Sequence, residues 1–130
     1  MAYVWSSVKG YSKYNTFKGN GNADGPFVYT GFKPAYVFIK KATGAVNNWL
    51  FYDNQRDPHN EAFHIMMQNS DAERDQEGGN THASDIDILS NGFKIKDTGN
   101  AGNTDGETYI YGAIADKPLV GTNNVVATAR

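Results

Sequence analysis

Residues 35–53 read AYVFIKKATGAVNNWLFYD, and their reading decides the fold. Ala35 to Lys40 is a continuous apolar run closed by a lysine, the pattern of a strand covered on both faces. The linker KATGAVN supplies a glycine and small polar residues suited to a turn. The second half alternates, with Trp49 and Phe51 on one side and Leu50 and Tyr52 on the other. The segment therefore reads as strand, turn, strand.

The same grammar extends in both directions. YSKYNTF, PFVYT, IDIL, GFKIK and ETYIYGAIA all carry strand signals, and Pro26 marks the start or the edge of its strand. Ile86 and Ile88, then Phe93 and Ile95, are expected inward, joined by a compact hairpin at Ser90-Asn91-Gly92. One stretch is ambiguous. In HNEAFHIMMQNSDAERDQEGG, Ala62, Ile65, Met66 and Gln68 roughly follow a helical spacing, yet Phe63, Ile65 and Met67 alternate against Ala62, His64 and Met66. Polar turn material on both sides favours the strand. The linkers GNGNADG, DTGNAGNTDG and EGGNTHA complete a set of eight or nine short strands. The expectation is an all-β, two-sheet antiparallel sandwich of the jelly-roll kind, with a small barrel as the alternative.

Composition agrees. In 130 residues, apolar types make up 39% and aromatic types 13%, led by eight Tyr and seven Phe, with fourteen Gly. A mean hydropathy of −0.59 implies a thin core under a polar surface. The net charge of −2 lacks the basic balance a phosphate-neutralising nucleic-acid binder needs. Without cysteine the chain has neither disulfides nor thiolate zinc sites. MAYVWSSVKGYSKY has neither the basic leader nor the apolar region of a signal peptide, and no apolar run reaches the ~18 residues of a membrane helix. A soluble protein without membrane insertion is expected.

AYVWSSVKG near the beginning is similar to YIYGAIADKP near the end. Residues 1–9 are thus either an N-terminal strand pairing with the last one or the final strand of a preceding repeat, with residues 10–130 as one sandwich domain. Several stretches carry a resemblance: GYSKYNTFKGNGNADGPFVYTGFKPAYVFIKK, NNWLFYDNQRDPHN, LSNGFKIKDTGNAGNTDGETYIYGAIADKPLV and the terminal ATAR. Together they resemble a repeat domain of bacteriophage tail-fibre and other virion structural proteins, often found in tandem or at the C-terminus. The resemblance implies a concanavalin-type, lectin-like jelly roll on the outer surface of a virion. It implies host attachment, partners among other virion proteins, and a homo-oligomer, naturally a trimer. It supplies no catalytic residues. QNSDAERDQEGGNTHASDID is longer and more acidic than that pattern.

The residues themselves offer several candidate sites. Asp71, Glu73, Asp75 and Glu77 alternate like calcium ligands, but Gln76 stands where an EF-hand needs glycine, and Arg74 would repel a cation. His59, His64 and His82 have no zinc spacing. Gly19, Gly21 and Gly25 do not match a phosphate loop. No metal or cofactor is expected. Asp53 and Arg56 are expected to staple a turn rather than, with Asp57, to form a glycosidase acid pair. Aromatic faces stack on sugar rings and loop amides bond hydroxyls, so the expected ligand-binding residues are Asn47, Asn48, Trp49, Tyr52, Asn54, Asp71, Asp75 and Asp85. The expected function is non-enzymatic binding of host-surface glycan or receptor. A capsid decoration protein and a glycan-degrading enzyme are the alternatives.

Overall fold

The computed structural model describes residues 2, 4–45, 47–68, 73–74 and 85–117. These form nine strands and no helix. They are β1 (Ser12–Lys18), β2 (Phe27–Tyr29), β3 (Pro34–Lys41), β4 (Trp49–Asp53), β5 (Ile65–Gln68), β6 (Glu73–Arg74), β7 (Ile86–Leu89), β8 (Gly92–Ile95) and β9 (Thr108–Ala115). A six-stranded sheet runs β1-β9-β3-β4-β5-β6 and a three-stranded sheet runs β2-β8-β7, every pairing antiparallel. The molecule is an all-β sandwich of two sheets.

Period-two alternation decides which side chains face the partner sheet. From the large sheet come Val37, Ile39, Leu50, Tyr52, Ile65, Tyr109, Tyr111, Ala113 and Ala115; from the small sheet, Val28, Ile86, Ile88, Phe93 and Ile95. Phe93 of β8 meets Tyr111 of β9 edge-on at 5.4 Å, and Phe17 of β1 stacks on Tyr109 at 5.2 Å. Removing each such large side chain from water contributes about 1.5–3 kcal/mol. The inward assignment of Ile86, Ile88, Phe93 and Ile95, and the split of Leu50 and Tyr52 from Trp49 and Phe51, agree with the alternation in the sequence.

Two local differences have physical reasons. β5 begins only at Ile65. Ala62 bridges to Ile86 of the other sheet, and the amides of Phe63 and His64 donate to Asp57 Oδ2, so 62–64 cannot also pair with β4. At the N-terminus, residues 4–9 form no strand beside β9. β1 fills that place, from Ser12 opposite Ile114 to Lys18 opposite Thr108. The segment instead turns back on β1 through one bridge, Val8 to Ser12.

Candidate functional site

Registry across the large sheet places its outward residues in ranks. The central rank runs Tyr14, Gly112, Phe38, Phe51, Met66 across β1, β9, β3, β4 and β5. The rank toward the Lys40 end carries Thr16, Ile110, Lys40 and Trp49; the rank toward the Tyr36 end carries Ile114, Tyr36 and Asp53. The outer face is therefore aromatic, although its opposite side already supplies the core. Trp49 and Phe51 lie near-parallel at 6.4 Å, 11° apart, and Tyr36 continues the row 6.0 Å from Phe51. Phe38 joins them at 5.8 Å from Trp49 and 6.3 Å from Phe51.

Trp5 covers one half of this face. It stacks on Tyr14 at 5.7 Å with 6° between planes and leans on Phe38 at 5.1 Å. Phe38 is left 8% exposed, whereas Trp5 itself remains 45% exposed. Ser7 holds the segment to β1, its hydroxyl accepting from the Tyr14 amide at 3.0 Å. Ser12 Oγ donates to the Ser6 carbonyl at 3.1 Å. The other half, with Trp49, Phe51 and Tyr36 each partly open, is bordered by polar groups. Lys40 Nζ lies 5.7 Å from the centre of the Trp49 ring and donates to the Asn47 carbonyl. At the opposite border Arg56 Nε meets Asp53 Oδ2 at 2.9 Å. Burial raises the Tyr36 phenol above its ordinary pKa, the neighbouring Arg56 pulls it down, and Asp53 adds to the rise.

The sequence-predicted residues do not gather at one loop end. Asn47 and Asn48 precede β4 and Asn54 follows it, so the strand holds them roughly 20 Å apart. Asn54 Nδ2 donates to Asp116 Oδ1 at 3.0 Å, tying its end of the sheet to the chain beyond β9. Two of the expected ligand-binding residues are buried. Tyr52 is fully buried, because the alternation that turns Trp49 and Phe51 outward turns Tyr52 into the core. Asp85 is 7% exposed and immediately precedes β7 of the other sheet, where its carbonyl accepts from the Lys96 amide at 2.8 Å. Asp71 and Asp75 lie outside the described residues. Of the expected residues that are described, Trp49 alone stands on the outer aromatic face.

The turn carboxylates are occupied locally. Asp53 Oδ1 accepts from the amides of Gln55 and Arg56 at 3.0 and 2.9 Å, while Oδ2 takes the guanidinium. Asp57 is 8% exposed; besides the two amides on Oδ2, its Oδ1 meets His64 Nδ1. Sequence reasoning missed this Asp57–His64 pair, since seven residues and a turn separate them. It also missed the outer position of Tyr14, Tyr36 and Phe38, for which strand registry was the needed information. Among the described residues, no three His, Asp or Glu side chains converge as metal ligands.

A domain family of unknown function, DUF7483, matches residues 1–118. No curated protein and no solved structure matches the chain. The match takes in the N-terminal segment, the nine strands and the aromatic face between them, and the chain belongs to the DUF7483 family.

Proposed function

We propose that this domain is a non-catalytic module of a bacteriophage virion that attaches to glycan on the host surface through the outer face of its large sheet. The virion context rests on the resemblance of GPFVYTGFKPAYVFIK, YDNQR and SNGF to tail-fibre repeat domains, for which a lectin-like jelly roll at a fibre or spike tip is the natural form. One observation carries the binding reading: Trp49, Phe51 and Tyr36 form a row of rings on a sheet face that the core does not use. Ring faces take the C–H faces of pyranoses, and Lys40, Asn47 and the Asp53–Arg56 pair stand where hydroxyls would reach. Such a flat site binds weakly alone. Repetition on a particle, as in a trimeric fibre, multiplies it through effective concentration.

The local engagement of Asp53 and Asp57 speaks for binding without bond cleavage. A second reading, assembly with other virion proteins as a decoration protein or within the fibre, is favoured by a different feature. Val4, Trp5, Val8 and Tyr11 are all large apolar residues near the N-terminus and between 45% and 89% exposed. A glycan array with the intact protein, beside Trp49→Ala and Phe51→Ala, tests the proposal. Binding that both variants lose supports it. Binding that survives both, or a bound polymer that shortens with time, overturns it.

A further inference from the structure

We infer that the ligand of the open aromatic half is an acidic sugar, a uronate whose ring stacks on Trp49 and whose carboxylate pairs with Lys40; this rests on the glycan reading above. The ammonium of Lys40 has three donors. One goes to the Asn47 carbonyl and the charge leans on the Trp49 ring, and among the described residues no carboxylate pairs with it. By registry Lys18 opposes Thr108 one rank beyond Thr16, so it stands on the same face toward the same end. It too lacks a carboxylate partner among the described residues, and the carboxylate of Glu107 takes the Thr43 hydroxyl. At the opposite border the Arg56 charge is cancelled by Asp53. Among the described residues the face thus has a neutral end and a cationic end, on a protein whose net charge is −2.

That polarity selects the ligand. A neutral pyranose would gain the stacking but leave the ammonium with water and one carbonyl. A carboxylate attached directly to a ring carbon stays beside the ring. A sugar stacked on Trp49 therefore holds it within reach of an ammonium 5.7 Å from the indole centre. A sulfate ester hangs farther out on its linking oxygen. A charge-assisted pair on a partly dry aromatic surface is stronger than one in open water.

The test uses the intact protein on a panel of matched oligosaccharides. Each uronate-bearing member is paired with its carboxyl-reduced neutral counterpart, and sulfated members form a third arm. Expected is binding to uronate members that falls about tenfold on carboxyl reduction and weakens with salt. Lys40→Met should lose about the same factor while Lys40→Arg retains binding, each variant's strand content being checked by circular dichroism. Equal binding of the reduced counterparts, an unaffected Lys40→Met, or preference for the sulfated arm overturns the uronate assignment and leaves glycan binding standing. A panel with no binder overturns both. Self-association without glycan binding that Trp49→Ala abolishes gives the face to a second copy and overturns both as well.

Discussion

Gly112 lies directly beneath the ring of Phe38. A Cβ built on Gly112 would stand 2.6 Å from Phe38 Cζ and 2.7 Å from Tyr14 Cδ1, distances no real Cβ tolerates. The backbone there is not in the left-handed region, so what excludes a side chain is space alone. Two strands' rings close over a glycine on the strand between them, and Trp5 stacks above. Gly112→Ala should therefore cost about 1–3 kcal/mol in urea denaturation through overpacking. It should also weaken the proposed glycan binding, because Phe38 touches Trp49 and Phe51. A variant as stable as the parent would show that the rings part freely.

Trp5→Ala should leave the sandwich folded at a cost of about 1 kcal/mol, since half of the indole faces water and its gain is ring packing. The local effect should be larger than the global one. The Tyr14 amide, which donates to Ser7 rather than to a strand, should exchange with deuterium markedly faster in the variant. Unchanged exchange would mean that Trp5 does not hold residues 4–9 in place.

Much of the fold was legible because a buried strand face imposes period two on the sequence. Leu50 and Tyr52 against Trp49 and Phe51 show it, and so does Ile86-Ile88 against Asp87-Leu89. The site was less legible for the same reason. Alternation says that Trp49 and Phe51 share a side. It does not say that Tyr14, Gly112 and Phe38 come alongside them, which depends on β9 lying between β1 and β3. Closeness in the chain sets Tyr52 beside Trp49, but the pleat parts them. Asn54 is likewise near Asn47 in the chain, although a whole strand lies between.

Asn103 is the hidden joint of the molecule, fully buried between two polar linkers. Its Oδ1 accepts from the Asn20 amide at 2.9 Å. Its Nδ2 donates to Asn20 Oδ1, the Asn22 carbonyl and the Asp97 carbonyl at 3.0, 2.7 and 2.7 Å. Asn103→Ala should cost about 2–4 kcal/mol by stranding buried partners. Asn103→Asp, nearly the same size, should be at least as damaging, because it sets an acceptor against three acceptors. If Asn103→Asp were the milder change, the assigned donor direction would be wrong.

Asp57 carries a similar load at the other end, receiving the amides of Phe63 and His64 at 2.8 Å each. Asp57→Ala should lower stability by about 2–3 kcal/mol, and His64→Ala by less, since the two amides keep their acceptor. Thermal unfolding of the two variants gives the order, and the reverse order would put the weight on the histidine.

Alkaline pH should destabilise the domain through two phenols, Tyr111 in the core and Tyr36 partly covered on the outer face. Burial raises the Tyr111 phenol above its ordinary value, and burial likewise raises Tyr36 despite the pull of Arg56. In the unfolded chain both ionise near the usual tyrosine value of about 10. Above that pH the unfolded state holds fewer protons than the folded one, so stability declines as pH rises. The contribution is whole below about pH 10 and is lost on climbing toward the raised folded values. The urea midpoint should accordingly be flat from about pH 7 to 9 and fall beyond about 10. Tyr111→Phe keeps the ring against Phe93 and removes the titrating hydroxyl, so it should make the alkaline decline shallower. A decline as steep in Tyr111→Phe as in the parent would place the alkaline sensitivity in other groups.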